Sequence, residues 1–426
     1  MPDLIDELSW RGLLSQCTDE EGLRAYLREG GAPVYCGFDP TAASLHLGNL
    51  VPIVALAHAQ RHGLIPVVVM GGGTGMIGDP SGKDAERSLM TTEEIEANVA
   101  AQQAQLRRFF ADSGANAAIF RNNAQWIEPL TCVELLRDVG KHFSVNAMIA
   151  KESVKRRLDS REQGISYTEF SYMVLQAFDF LKLYEAHKCR IQLGGSDQWG
   201  NITAGIDLIR RVHGEEAYGL TLPLLTTATG EKFGKSAGNA IWLDPKMTSP
   251  FAMYQHLIRT DDRDAVKFLS YFTFLEREEI EDLAAVHEDS PELREPQRAL
   301  ARELTRWIHG ADEMRKAEKA TEALYGGSLD ELGDDELREI FADVPSVEVP
   351  TDRLAGEGLP LVDLLVESGV AKSKGAARRL IESGGAYVNN ERAGDIALVL
   401  GTDALGGRKT LVLRSGKRNY TLVRFV

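Results

Sequence analysis

The sequence predicts an α/β protein whose first half is a Rossmann-like, doubly wound parallel sheet, followed by an all-helical part and a small α+β module. Three observations carry that expectation. Short β-branched runs alternate with stretches of helical period through the first half, the pattern of strands joined by crossover helices. Near Pro245 to Pro250 the character turns to almost continuous charged helix. The end of the chain pairs one basic helix with short strands. A length of 426 residues allows two or three domains, and 43% hydrophobic residues are enough for a sizeable core. The parts are placed at 1–246 for the sheet domain, 247–325 for the helical domain, 326–353 for a linker and 354–426 for the module.

Each element has a local reason. Pro33 to Phe38 (PVYCGF) is a short buried strand ending in a turn. Leu47, Leu50, Val51 and Val54 recur at helical spacing within Leu45 to Arg61. The run Ile65 to Met70 reads as a buried parallel strand. Thr92 to Phe110 begins Thr-Glu-Glu, a helix start, and continues as a long helix. Ala118 to Arg121 is a further strand, Tyr167 to Tyr184 an amphipathic helix, Arg190 to Gly194 a strand entering a glycine turn, and Asn201 to Val212 a helix. Gly326, Gly327 and the acidic stretch Asp330 to Glu339 look like a connector with some helix, punctuated by Pro345 and Pro350.

Composition excludes several classes. No apolar run is long enough to span a bilayer, and the acidic start MPDLIDELSW lacks the features of a signal or transit peptide, so a cytoplasmic protein without membrane attachment is expected. The four cysteines, Cys17, Cys36, Cys132 and Cys189, form no CxxC pair. That argues against a disulfide framework or a zinc site and for reduced thiols. The net charge of −15 argues against nucleic-acid binding over the whole surface. Charge is uneven, however. Residues 351–426 hold 12 Lys and Arg against 8 Asp and Glu, a balance of +4, which leaves −19 on the rest. A basic tail on an acidic body suggests a nucleic-acid partner for the tail.

Two glycine-rich segments are decoys. Gly73 to Gly78 (GTGMIG) fits the dinucleotide fingerprint, but Asp79-Pro80 would break the expected helix in its first turn. The acidic residue that should end a later strand also falls in the helix beginning near Thr92. Gly78 to Asp84 (GDPSGKD) loosely resembles a phosphate-binding loop, but is one residue short and has Asp84 where a hydroxyl should hold magnesium. Lys83 and Arg87 can still meet phosphates from there; the plain alternative is solvated charge after a turn.

Two other segments form a pair. Ser44-Leu45-His46-Leu47-Gly48-Asn49 starts a helix directly after a strand. Small Gly48 would let a purine ring approach the backbone, while the N-terminal amides, His46 and Thr41 would face phosphates. Far later come Glu231-Lys232-Phe233-Gly234-Lys235-Ser236, two lysines in a glycine-bounded loop that could reach a triphosphate. Either alone is ordinary, one a polar helix start and the other a basic surface turn. Together, in this order on an alternating β/α domain, they point to nucleotide chemistry.

HLGN and KFGKS resemble the HIGH and KMSKS signatures of class I aminoacyl-tRNA synthetases. Across essentially the whole chain, YCGFDPTAASLHLGNL, GMIGDPSGK, TEFSYMVLQAFDF and QLGGSDQWGNI resemble the tyrosyl-tRNA synthetases of the bacterial type. Asn49 stands where HIGH has its second His, and Phe233 and Gly234 where KMSKS has Met and Ser. Asn49 can still donate a hydrogen bond, and both lysines survive.

The resemblance implies a reaction and a site. L-Tyrosine would be activated by ATP, as its magnesium complex, with no resident metal or organic cofactor, and then passed to tRNA(Tyr). Tyr35 and Asp179 match the residues that hold the substrate's phenol; Asp79, Tyr172 and Gln176 match the ammonium site. Gly37, Asp39, Gly48, Asn49, Gly194, Asp197, Gln198 and Ser236 match positions around ATP and the adenylate, with Asp197 on the ribose and Gln192 and Gln198 near the tyrosine carboxylate. Thr41, His46, Lys83, Arg87, Lys232 and Lys235 would carry the transfer step. Tyr172, Gln176 and Asp179 stand at i, i+4 and i+7, so one helix face presents all three. The family also implies a symmetric homodimer, an anticodon side in 247–325, and a tail like a small RNA-binding domain shared with a ribosomal protein. In that tail the helix from Ser373 to Ser383 would display Lys372, Lys374, Arg378 and Arg379 to structured RNA.

Overall fold

The structure, a computed structural model, describes residues 3–79, 81, 90–151, 154–155, 158, 164–228, 230, 233–236, 239–330, 332–342, 344–416 and 419–426, with backbone alone at 235, 236 and 239. It divides into two units. The first is Met1–Ser249 with His256–Ile308; the second is Pro250–Gln255 with His309–Val426.

Six strands form the sheet of the first unit: β1 (Gln16–Cys17), β2 (Pro33–Phe38), β3 (Ile65–Met70), β4 (Ile119–Asn122), β5 (Ile191–Gly195) and β6 (Tyr218–Leu222), in the order β1-β6-β5-β2-β3-β4. β2 to β6 run parallel, and the short β1 lies antiparallel on β6 at the edge. The chain winds outward from β2 through β3 to β4, then returns to the other side of β2 with β5 and β6. That reversal between β2 and β5 is a topological switch point, where open α/β sheets leave a crevice beyond the strand ends. Register puts Tyr35 beside Val67 on one flank and beside Gln192 on the other. The run of β-branched residues in β3 is buried from Pro66 to Met70, as expected for a strand covered on both faces.

The connecting helices are Leu50–Arg61 (α1), Thr92–Leu106 (α2), Tyr167–His187 (α3) and Trp199–His213 (α4). Their starts are written in the sequence. The Thr91 hydroxyl accepts from the Glu94 amide at 3.2 Å, while the Glu94 carboxylate accepts from the Thr91 amide at 2.9 Å. Ser166 and Glu169 make the same reciprocal pair at the start of α3. α3 runs one turn beyond the expected Tyr184, because Lys188 takes the left-handed conformation that ends it (φ 54°). α3 and α4 pack closely: a Cβ on Gly205 would stand 2.9 Å from Cδ1 of Phe180. Glycine there is what lets the helices approach.

Later in the first unit come the helices Asp262–Phe272 (α5) and Arg277–Asp289, and all but the last residue of Glu295–His309. Lys235–Ser236 (β7) and Asn239–Ala240 (β8) form a small antiparallel ribbon.

The second unit holds the helix Ala311–Leu324, the helix Asp334–Ile340 and a five-stranded sheet. Its strands are β9 (Ser346–Val349), β11 (Ala386–Val388), β12 (Glu391–Arg392), β14 (Thr410–Ser415) and β15 (Asn419–Phe425), ordered β12-β11-β14-β15-β9; β10 (Leu359–Pro360) pairs separately with β13 (Val399–Leu400). Residues 326–353, expected as a linker with some helix, thus also supply a strand. β9 pairs parallel with β15 at the sheet edge, and Pro345 and Pro350 flank it, an edge position that tolerates proline. Leu361–Glu367 and Lys374–Glu382 (α6) cover the sheet, and α6 buries Ala377 and Ile381. No helix among the described residues is long and apolar enough to cross a membrane.

Candidate active site

A cavity of about 180 Å³ opens at the switch point, beyond the carboxyl ends of β2 and β5. Ten of the expected site residues line it: Tyr35, Gly37 and Asp39 from β2 and its turn, Asp79 from the loop after β3, Tyr172, Gln176 and Asp179 from α3, and Gln192, Gly194 and Gln198 from β5 and its exit. Chain order would never suggest this grouping; strand register and the shared face of α3 produce it. Thr41, His46, Gly48, Asn49 and Asp197 do not line the cavity. Lys83, Arg87 and Lys232 lie outside the described residues, and Lys235 and Ser236 are described by backbone alone.

The floor is built around Asp179, which is 3% exposed. Its two oxygens accept from Asn123 Nδ2 at 2.9 Å and from Trp126 Nε1 at 2.7 Å. Burial pushes this carboxyl up to about 7; the two donated bonds hold it down, and the charge of Asp39 adds to the rise. Burial, and then the negative charge of Asp179, keep the Tyr35 phenol well above its ordinary value, so it stays protonated. Cys36 also lines the cavity, but burial pushes its thiol up to about 12. It is therefore no nucleophile at neutral pH.

A second network ties the opposite wall. Gln198 Nε2 donates to Asp79 Oδ2 at 2.7 Å. Asn201 Nδ2 donates to Gln176 Oε1 at 3.0 Å and to Gln198 Oε1 at 3.1 Å. Tyr172 donates to Asp39 Oδ1 at 3.4 Å. Gln192 is 2% exposed, and its side-chain oxygen has no partner among the described residues. A buried acceptor without a donor is costly unless a ligand supplies one. Three carboxylates, Asp39, Asp79 and Asp179, share the lining. Their field suits a cation, and the floor around Asp179 suits a polar tip that can donate a hydrogen bond to it.

Sequence reasoning missed Asn123, Trp126, Thr74 and Asn201. Asn123 Nδ2 also donates to Thr74 Oγ1 at 2.9 Å, and its Oδ1 accepts from the Gly73 amide at 2.8 Å. One asparagine thereby holds both the glycine-rich turn after β3 and the floor carboxylate. The available signal was a polar pair, Asn122-Asn123, directly at the end of a half-buried strand.

Backbone hydrogen bonds tie the first signature to residues 241–243, just past the second. The Leu47 amide donates to the Ile241 carbonyl at 2.9 Å, and the Leu243 amide to the Leu45 carbonyl at 2.8 Å. His46 bridges Trp242, with ring centroids 6.0 Å apart. Asn49 accepts from the His46 amide through its side-chain oxygen at 3.0 Å, capping the turn that leads into α1. The space beside Gly48, expected to admit a purine, borders the His46 ring: a Cβ there would stand 2.8 Å from its Cε1. Phe233 and Gly234, the two departures in the second signature, also have physical reasons. Phe233 is buried against Phe268 and Phe272, at centroid distances of 4.5 and 4.8 Å. Gly234 has φ +80°, and a Cβ there would meet Leu47 Cβ at 2.8 Å.

In the second unit Lys372, Lys374, Arg378 and Arg379 are all exposed along α6 and the turn before it. Lys374 pairs with Asp363 at 2.7 Å.

Comparison with known proteins gives a consistent set. Residues 28–326 match the family described as tRNA synthetases class I (W and Y), and residues 336–423 match the tyrosine–tRNA ligase SYY-like C-terminal domain. The tyrosine–tRNA ligase of Roseiflexus castenholzii is 50% identical, covering 100% of each chain. That of Geobacillus kaustophilus is 51% identical, covering 99% of this chain and 100% of the relative. Among solved structures, the C-terminally truncated mitochondrial tyrosyl-tRNA synthetase of Aspergillus nidulans aligns with TM-score 0.70 and 31% identity, over 76% of this chain and 95% of that one. The tryptophanyl-tRNA synthetase of Plasmodium falciparum shares the fold at TM-score 0.53 and 13% identity, over 79% of this chain and 87% of that one.

Proposed function

The chain belongs to the tyrosine–tRNA ligases within the class I (W and Y) tRNA synthetases, and from that membership we propose how its cavity performs the reaction of such a ligase. Tyrosine and ATP yield tyrosyl-adenylate and pyrophosphate; a terminal ribose hydroxyl of tRNA(Tyr) then takes the tyrosyl group.

The observation that carries the site assignment is that Tyr35 and Asp179, both buried, line the floor of one cavity. A phenol O–H placed there donates to Asp179, a charge-assisted bond once the carboxylate ionises. An apolar ring of the same shape would forgo that bond while still covering the buried carboxyl. The ammonium group faces Asp79, Tyr172 and Gln176, while Gln192 and Gln198 orient the reacting carboxylate. One carboxylate oxygen attacks the α-phosphorus of ATP, and the bond to the bridging oxygen of pyrophosphate breaks. No side chain becomes covalently attached. The chain contributes position and charge: Gly37, Asp39, Gly48, Asn49, Gly194, Asp197 and Ser236 around the nucleotide, and Thr41, His46, Lys83, Arg87, Lys232 and Lys235 on the phosphates. Magnesium enters with ATP as part of the substrate.

Residues 247–325 are read as the anticodon side and 354–426 as the RNA-binding module, with Lys372, Lys374, Arg378 and Arg379 on tRNA phosphates. A homodimer belongs to the same reading. Its support is a run of exposed apolar side chains, Val133, Leu136, Val145 and Ile149, on one stretch of the first unit. The proposed location is the cytoplasm, where tRNA charging serves translation.

Amino-acid-dependent pyrophosphate exchange tests the reading. Exchange with tyrosine, and not with tryptophan or phenylalanine, is expected. Exchange with tryptophan alone would transfer the chain to the tryptophan branch, and absence of any exchange would leave an RNA-binding protein.

A further inference from the structure

Asp264 stands on the first turn of α5, away from the cavity lining, and is 3% exposed. Its Oδ2 accepts from the backbone amide of Ala228 at 2.7 Å. Ala228 lies just ahead of the segment that carries Lys232 and Lys235. The same helix meets that segment again: Phe233, between the two lysines in sequence, stacks on Phe272 and sets its edge against Phe268. A third fixed point is Gly234. A Cβ there would be 2.8 Å from Leu47 Cβ and 3.0 Å from the Gly48 amide nitrogen, and the Gly234 carbonyl accepts from Ile241 at 2.8 Å.

We propose that Asp264 is a positioning residue for adenylate formation, and that with Phe233 and Gly234 it seats the lysine-bearing segment against the HLGN turn. The physical reason is leverage. Two lysines contribute to the transferring phosphate only if their backbone is held, and a displacement of about 1 Å costs up to roughly 100-fold in rate. A buried carboxylate on a backbone amide is a strong point of attachment, and α5 is a rigid helix to attach to. Gly234 sharpens the idea: the serine of the general KMSKS signature would bring a Cβ into a left-handed backbone position that has no room for one. Reverting this chain toward that signature should therefore slow it.

The inference rests on the role proposed above for Lys232 and Lys235, so the test separates the two. In the full-length chain, the single-turnover rate constant for tyrosyl-adenylate formation and the equilibrium Kd for tyrosine are measured for Asp264→Ala, Asp264→Asn, Gly234→Ser and Lys235→Ala. Asp264→Ala and Gly234→Ser are expected to form adenylate roughly 10- to 100-fold more slowly, with tyrosine Kd unchanged. Asp264→Asn keeps an oxygen to accept from Ala228 and should retain most of the rate. Lys235→Ala should lose roughly 100- to 1,000-fold. Wild-type rates in Asp264→Ala or Gly234→Ser, with Lys235→Ala slow, overturn the seat alone. Equal loss in Asp264→Asn and Asp264→Ala, or weakened tyrosine binding in step with the rate, also overturns it. A wild-type rate in Lys235→Ala overturns the lysine role beneath it. Should Asp264→Ala not fold, Gly234→Ser decides.

Discussion

Asp179 shows how one residue can link stability and recognition. Its carboxyl titrates near 7 in the folded chain, against an ordinary 3.8, because burial outweighs the bonds from Asn123 and Trp126. A raised folded value means that the protonated form is the one stabilised. That contribution is complete below 3.8 and is lost as pH rises through about 7. A phenol donor prefers the ionised acceptor, so tyrosine affinity should increase between about pH 6 and about pH 8. Equilibrium titration of tyrosine across that range checks this, and the slope should vanish in Asp179→Asn. A flat profile in the parent chain would remove the assigned role. Gly48 makes a second residue-scale case. Gly48→Ala would press a methyl group against the His46 ring. Slower adenylate formation with unchanged tyrosine Kd is expected, read in the same single-turnover experiment. Of the site, the type and spacing of Tyr172, Gln176 and Asp179 were legible in the sequence, since a helical repeat puts them on one face. Asn123 and Trp126 were not: they reach Asp179 from another element, and no local pattern records that contact.

At the scale of elements, the sheet and its helices were largely readable. Pro33–Phe38 and Ile65–Met70 coincide with the expected strands, because short, mostly apolar runs bounded by turns leave little choice. Helix starts were readable through Thr91/Glu94 and Ser166/Glu169, whose side chains satisfy the first free amides. The strand Ser346–Val349 was not read, because four residues between prolines in an acidic connector look like loop until β15 offers a partner. The close pairing of α3 and α4 was equally invisible, and it has a testable consequence. Gly205→Val would force Phe180 away, and overpacking of that kind costs about 1–3 kcal/mol. Because Phe180 adjoins Asp179 on α3, urea unfolding should show the loss and tyrosine Kd should rise with it. Unfolding and binding both unaltered would mean the helices have slack there.

At the scale of the whole molecule, charge and exposed apolar surface set the expectations. The tail carries +4 against −19 on the body, and its basic side chains on and before α6 are exposed. Replacing Lys372, Lys374, Arg378 and Arg379 together with alanine should weaken tRNA(Tyr) binding and flatten its salt dependence by up to about four phosphate contacts. Pyrophosphate exchange should stay as it was. Loss of exchange, or an unchanged salt slope, would contradict the division of labour. Leu136→Asp places a charge on the exposed apolar stretch of the first unit. If the proposed dimer forms there, sedimentation should report the parent chain as a dimer and the variant as a monomer; equal sedimentation coefficients for the two would contradict that interface.

Taken by itself, the sequence determined the fold class and the reaction family: strands and helices by periodicity, the family by the paired signatures and by resemblance, which also supplied Tyr35 and Asp179 as the proposed phenol site. These are local or countable properties, and a linear text carries them. Only the tertiary structure decided which groups meet. Strand order 6-5-2-3-4 opens the cavity between β2 and β5, Asn123 and Trp126 reach the floor carboxylate, and backbone pairing joins residues 45–47 to 241–243. Asp264, a plain acidic residue at a helix start in the text, becomes an anchor for the lysine-bearing segment only because α5 packs beside it. Such contacts depend on long-range packing, where partners far apart in sequence are chosen by burial and register.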